Sequence, residues 1–148
     1  MIKPTKKSEI EKKWHLVDAK GQVLGRLASG LSPLLMGKNK SYFTKNLDCG
    51  DHVVLINAKE ILVTGKKSKE KQYYSYSGYP GGLSKTSFPQ LIEKHPEKII
   101  QRAVLSMLPK NKLRSEWLNR LHVFPSSEHS FKEKFVIKTP KKGKNENN

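Results

Sequence analysis

Apolar residues fall along this chain in short runs whose period switches between about two and about 3.6, the pattern of strands alternating with helices. Trp14, Leu16 and Val17 predict a short strand that ends at Asp18, with Ala19-Lys20-Gly21 as the turn. Val23, Leu24, Leu27, Ala28, Leu31, Leu34 and Leu35 then recur at helical spacing, and Gly37 is a natural stop. Pro33 lies inside that pattern and predicts a kink or an early end to its regular part. HVVLINA, residues 52–58, is a continuous apolar run of strand length, as a strand buried on both faces of a parallel sheet requires. EILVTG predicts another short strand closed by Gly65, the cationic stretch 66–71 a loop, and KQYYSYSG an edge strand.

Three helices should follow. SFPQLIEKH has Ser87 at the N-cap position, and PEKIIQRAVLSMLP carries Pro96 in its first turn and stops before Pro109. In the second, Ile99, Ile100, Ala103, Val104, Met107 and Leu108 make one apolar stripe. NKLRSEWLNR begins at Asn111 and offers Leu113, Trp117 and Leu118 to the core, and LHVFP returns as the last strand. This order predicts a small α/β sandwich with helices covering the sheet.

Charge narrows the function. The 148 residues hold 29 Lys and Arg against 13 Asp and Glu, a net charge of +16. Self-repulsion on that scale opposes compaction unless a polyanion is near, which points to nucleic acid. The length suits one domain. Residues 1–13 and 132–148 are polar and lysine-rich, and read as a basic arm and a basic tail around a domain at 14–131. Both ends, 1–10 and 136–148, are expected to be flexible in the free protein. The single cysteine, Cys49, excludes an internal disulfide and a four-cysteine zinc module, and suits a small buried side chain. No apolar run reaches membrane-spanning length, and MIKPTKKSEIEKKW lacks the apolar stretch of a secretory signal, so a cytoplasmic setting is expected.

Catalytic and cofactor motifs are missing. Gly21, Gly25 and Gly30 follow neither the dinucleotide nor the phosphate-loop spacing, so no cofactor and no small-molecule substrate are expected. His15, His52, His95, His122 and His129 show no metal-ligand spacing and read as structural or surface residues. Asp48 and Asp51 flank Cys49-Gly50; they suit Mg²⁺ or, better, a turn whose side chains bond their own backbone. No catalytic Ser/His/Asp set is supported. More telling are the basic and aromatic segments. Lys38 and Lys40 precede Tyr42 and Phe43; Lys66, Lys67, Lys69 and Lys71 precede Tyr73, Tyr74, Tyr76, Tyr79, Gly81 and Gly82; and Lys110 and Lys112 come with Arg114 at an expected helix start. Lysines satisfy phosphates, tyrosines stack on unpaired bases, and glycines let main chain approach a strand. Strand alternation sets Tyr74 and Tyr76 on one face, Tyr73 and Ser75 on the other.

In order, VDAKGQVLGRLAS, MGKNK, DCGDHVVLINAKEILVTGKK, YYSYSGYPGG, MLPKNKL and LHVF with a following EH resemble the bacterial-type large-subunit ribosomal protein thirteen family, from about Trp14 to His129. The resemblance implies a three-layer α/β/α fold with a small, mainly parallel sheet. It implies binding to large-subunit ribosomal RNA beside neighbouring ribosomal proteins, a part in early subunit assembly, and no catalysis. Three features depart from the family pattern: Ser126-Ser127 in place of a glycine-containing turn, Ser130-Phe131 in place of a second histidine after His129, and Gly30 with Pro33 inside a normally regular helix. The expected phosphate contacts are Lys38, Lys40, Lys66, Lys67, Lys110, Lys112 and Arg114; Tyr74, Tyr76, Tyr79, Gly81 and Gly82 are expected to pack closely on RNA. Bacterial and organellar ribosomes both fit. The competing readings are an RNA-acting enzyme, for which no acid–base or metal set is found, and a regulatory RNA-binding protein acting off the ribosome.

Overall fold

The computed structural model describes residues 6–135. Its elements in order are β1 (Trp14–Asp18), α1 (Leu24–Met36), β2 (His52–Ile56), α2 (Lys67–Glu70), β3 (Gln72–Tyr76), β4 (Leu83–Ser87), α3 (Phe88–Lys94), α4 (Pro96–Met107), α5 (Arg114–Asn119) and β5 (Leu121–Val123). Single 3₁₀ turns stand at Lys7–Glu9, Ala58–Glu60 and Lys132–Phe135. The main sheet is wholly parallel, in the order β1-β2-β5, with Leu16 beside Val54 and Val54 beside His122.

Side-chain alternation divides this sheet into two unlike faces. Val17, Val53, Leu55, Leu121 and Val123 join the main core with Leu27, Leu31 and Leu35 of α1, Ile99, Ile100 and Val104 of α4, and Trp117 of α5. Burying each such side chain contributes about 1.5–3 kcal/mol, so this seam dominates stability. The other face carries Trp14, His52 and His122 as a near-parallel stack, with Trp14 4.2 Å from His52 and 5.7 Å from His122 between ring centroids. Phe131 leans on His122 at 4.5 Å, and Phe135 meets Trp14 edge-on at 6.5 Å. Val53, Val54 and Leu55 are fully buried, so β2 is covered on both faces as its apolar run requires. The α/β architecture with a small parallel sheet is therefore present, and its second outer layer is thin, built from the chain that leads to the Lys132–Phe135 turn. Phe131, a departure from the family pattern, is part of that cover.

Several elements differ from expectation. EILVTG is no strand: Asn57 takes a left-handed φ of 58°, its amide donates to Asp18 at 2.8 Å, and β2 gives way to the 3₁₀ turn. Only Leu62 touches a ladder, as an isolated bridge to Val23. Residues 66–71 are not a loop throughout, because the N–H groups of Lys69, Glu70 and Lys71 fold back on the carbonyls of Lys66 and Lys67 to make α2. The expected edge strand is β3, but its antiparallel partner β4 was hidden in a polar sequence, LSKTS, with no apolar alternation. Helix α1 runs through Pro33 to Met36, so the proline does not end it early. There Gly37, at φ 77°, and Lys38 close the helix with N–H bonds to the Leu34 and Pro33 carbonyls, a Schellman arrangement. Helix α5 begins at Arg114 and not Asn111, since the Arg114 N–H is taken by the Asn111 carbonyl in a preceding turn. Met107 is left 42% exposed, whereas Leu108 is buried.

The ends are more docked than their composition suggests. Within the expected arm, Lys13 N–H donates to Asp51 at 2.9 Å, and its carbonyl accepts from His52 N–H at 2.9 Å. Within the expected tail, Lys134 stands over the Trp14 ring and Phe135 packs beside it. Of the ends expected to be flexible, 1–5 and 136–148 lie outside the described residues.

Candidate nucleic-acid interface

A buried charge corner sets the frame on which the basic segments are mounted. Asp48 receives the Arg120 guanidinium through both nitrogens, Trp117 Nε1–H at 3.1 Å and Lys12 Nζ at 3.3 Å. Asp51 receives Lys13 N–H, Lys40 Nζ at 2.5 Å and pairs with His15 Nε2 at 2.8 Å. Neither aspartate closes its own turn, which corrects the sequence reading: their partners come from elements far away in the chain. Burial pushes both carboxyls up, but Arg120 and Lys12 at Asp48, and Lys13 N–H, Lys40 and His15 at Asp51, outweigh it and hold both below the ordinary value. Among the described residues no group of three or more His, Cys, Asp or Glu converges as a metal site. Gly50 is required here, because a Cβ would stand 1.7 Å from the Leu35 carbonyl oxygen. Cys49 is fully buried, as expected.

This corner consumes one of the expected phosphate ligands. Lys40 is bound to Asp51 and to the Glu11 carbonyl, and its side chain is only 10% exposed. Arg114 is likewise turned inward, to the Leu105 carbonyl at the end of α4. Lys38, Lys66, Lys67, Lys110 and Lys112 are exposed and form no ion pair among the described residues.

The open lysines do not form one patch. Lys66 and Lys67 border a surface hollow of about 570 Å³ with Thr64, Gly65, Glu70 and Lys71. A second hollow shares Thr64, Lys67 and Lys71 and continues to Gly25 at the start of α1 and to Ser106 and Met107 on α4. Lys71 thus joins the site; its place at the end of the lysine run was the signal for it. Lys110 and Lys112 lie in the turns just beyond α4. Lys38 follows the opposite end of α1, a 13-residue helix that spans about 20 Å. It therefore faces a different part of any partner.

The tyrosine segment is the outward half of the β3–β4 hairpin. Tyr74 and Tyr76 share one face and are 55% and 64% exposed, and Tyr79 at the tip is 76% exposed. Tyr73 points the other way and packs against the core. Lys85, opposite Tyr74, places its ammonium 5.6 Å from that ring. The tip needs its glycines for its own closure: Gly78 and Gly81 have φ of 89° and 72°, and a Cβ on Gly82 would strike Ser77 Oγ. What the sequence suggested as room for RNA is, at Gly82, first a requirement of the turn.

The histidines are structural. His52 and His122 belong to the aromatic stack, and burial lowers both below the ordinary value, with Arg120 adding to the effect at His52. His129 packs against Phe124 and Phe135, and His95 pairs with Glu97 at 3.3 Å. Among the described residues no helix is long and apolar enough to cross a membrane.

The family model described as Ribosomal protein L13 matches residues 12–130 of this chain. The chain is 50% identical over 129 residues to the large ribosomal subunit protein uL13 of Thermotoga petrophila, covering 87% of this chain and 85% of that protein. It is 54% identical over 121 residues to the protein of that name in Pseudothermotoga lettingae, covering 82% of each. With that of Clostridioides difficile the identity is 47% over 125 residues, or 84% of this chain and 87% of the relative.

Proposed function

The chain belongs to the Ribosomal protein L13 family, and on that premise we propose that it is a non-catalytic constituent of the large ribosomal subunit that binds large-subunit ribosomal RNA. Its rigid α/β core holds several RNA segments in register, beside neighbouring ribosomal proteins, and so supports early assembly of the subunit. Lys66, Lys67 and Lys71 neutralise phosphates at the paired hollows, Lys110 and Lys112 beyond α4, and Lys38 at the far end of α1. Tyr74, Tyr76 and Tyr79 present π-faces to unpaired bases, and the Gly81–Gly82 turn lets main chain approach the strand. Lys40 and Arg114 act inside the protein, by holding the N-terminal segment and the end of α4.

One observation carries this reading. In a chain of net charge +16, Lys66 and Lys67 at the two hollows are exposed, Lys71 beside them is half-buried, and Glu70 is the one carboxylate lining either. Such a surface is repelled by itself and relieved by a polyanion. The test is titration of a large-subunit ribosomal RNA transcript at several salt concentrations. About six phosphate contacts give a log–log slope near −5, at roughly 0.9 per phosphate on duplex RNA treated like B-DNA. A slope near zero contradicts the proposal.

A further inference from the structure

Lys71, which lines the hollow at Lys66 and Lys67, also reaches toward a neighbouring one. The Lys71 ammonium lies 5.3 Å from the centroid of the Tyr73 ring, and the Arg102 guanidinium lies 5.4 Å from the same centroid. Tyr73, Ser75 and Thr86, on the inner face of the hairpin, form one wall of a further hollow of about 260 Å³. Its other wall is α3 and α4, with Gln90, Lys94, Lys98 and Arg102. On α4, Lys98 and Arg102 are four residues apart, about 6 Å along the axis. Ser106, another turn on, already lines the hollow shared by Lys67 and Lys71. The outer side of α4 therefore runs from one basin to the other, past the tyrosine that both cations touch.

Positive charge outweighs negative along this line, where Glu70 is the one carboxylate lining the hollows. Lys71, Lys94, Lys98 and Arg102 form no ion pair among the described residues. The nearest carboxylate on α4, Glu97, is taken by His95. Leu91 is the one aliphatic residue lining the inner hollow, and the hydroxyls of Ser75 and Thr86 stand beside the cations. Apart from Leu91 and the Tyr73 ring, the lining is polar or charged, which suits an anion better than an apolar ligand. A chain of phosphates finds a cation at each hollow, with Arg102 pre-ordered on an aromatic ring so that less side-chain freedom is lost on contact.

We infer that the hollows form one continuous track for the phosphates of a single RNA strand, entering at Lys66 and Lys67, passing Lys71 and Arg102 on Tyr73, and leaving along Lys98 and Lys94. This rests on the RNA-binding reading and extends it to a face that the lysine runs in the sequence do not mark. Lys71 and Arg102 both lie against the Tyr73 ring, so two like charges are gathered around one side chain and a phosphate passing it offsets their repulsion.

The test is Lys94→Ala/Lys98→Ala in the full chain, with Lys66→Ala/Lys67→Ala as comparison; all four side chains are exposed, so the fold is expected to be kept. With a large-subunit ribosomal RNA transcript as probe, the first variant should flatten the salt slope by about 1.4, at roughly 0.7 per lost single-strand phosphate. Bound RNA should also shield Lys94 and Lys98 from acetylation together with Lys66 and Lys67, while Lys59 stays reactive. Unshielded Lys94 and Lys98 with an unchanged slope, when Lys66→Ala/Lys67→Ala does weaken binding, overturns the track and leaves the RNA-binding reading standing. A wild-type slope near zero overturns both. If the Lys94→Ala/Lys98→Ala protein binds RNA normally but loses affinity for a polyglutamate peptide, the inner hollow belongs to an acidic protein segment, and the track is refuted.

Discussion

Replacing Asp48 by Asn should cost this fold about 3 kcal/mol, out of a total stability that for domains of this kind is about 5–15 kcal/mol. The substitution preserves volume, and an amide oxygen can still accept the Trp117 indole N–H, now made at 3.1 Å. What it removes is the negative charge opposite Arg120. That guanidinium side chain is 7% exposed and its Nε has no partner, so without the carboxylate it is a buried cation with weak compensation. Removing one member of a buried pair costs about 3–5 kcal/mol; the lower end applies because Asp48 keeps 19% exposure and shares its charge with Lys12. Unfolding in urea, followed by Trp117 fluorescence, should show a midpoint shift at constant slope. For a domain of this size the loss corresponds to a fall in Tm of about 10 °C. Arg120→Met should also destabilise, and Asp48→Asn/Arg120→Met should cost at least about 1 kcal/mol less than the sum of the two single changes, because no unpaired charge remains. Strict additivity, or a single-variant cost under about 0.5 kcal/mol, refutes the argument that this corner holds the fold.

Stability should fall with acid in two stages. His52 and His122 titrate below their ordinary 6.5 in the folded state, so as pH drops below 6.5 the unfolded chain binds protons first and stability declines; Asp48 and Asp51, held below 3.8, add a second loss as pH falls past that value, and a urea series from pH 8 to 3 reads both. An acid-insensitive midpoint between pH 7 and 5 contradicts the first stage. Gly81→Glu places its side chain in open space at φ 72°, so strain of about 1–2 kcal/mol and a modest drop in Tm are expected, with a much larger loss of occupancy in purified large subunits. Gly81→Ala carries the strain without the charge, and equal loss of occupancy by both would trace the effect to the turn and not to RNA. Tyr74→Ala and Tyr76→Ala should change stability by under about 0.5 kcal/mol but weaken RNA binding by about 1–3 kcal/mol for each base stacked; unchanged affinity in a filter-binding assay would remove the hairpin face from the interface.

Much of this architecture was legible because its signals were strong and local. HVVLINA suited a strand buried on both faces, and its first five residues form β2 in the middle of the parallel sheet, while Asn57 and Ala58 turn out of it. Ile99, Ile100 and Val104 marked the inner side of α4, and the alternation of Tyr73 with Tyr74 divided the hairpin correctly into packed and open faces. What escaped depended on distant partners. Nothing near Asp48 and Asp51 announces Arg120 or Lys40, 72 and 11 residues away respectively, so a local turn looked more plausible than a charge corner. The strand β4 has no apolar alternation because almost none of it is buried: Leu83, Ser84 and Lys85 are exposed, and Thr86 and Ser87 are only half-buried. Composition sets the boundary of the tail at Lys132, where lysines begin to dominate, yet Phe135 lies beyond it and still packs on Trp14, as Phe131 does just before it. In the candidate interface, lysine runs pointed to Lys66 and Lys67, but Lys98 and Arg102 are spread by helical spacing on α4 and join Lys94, the last residue of α3, around one hollow only in the folded chain. Lys40 shows the opposite failure: one lysine among many, it is withdrawn from the surface by a single aspartate.

The central claim, that this chain works as a resident of the large ribosomal subunit, is tested most directly by where it sediments. An epitope-tagged copy, expressed in a bacterial cell and run through a sucrose gradient at moderate magnesium and salt, should travel with the large subunit and with intact ribosomes. It should stay there through a salt wash that strips loosely held proteins, because many phosphate contacts must break together. Recovery of the chain at the top of the gradient, free or bound to small RNAs, while other large-subunit proteins remain in their peak, would contradict the account and favour a regulatory RNA-binding protein acting off the ribosome.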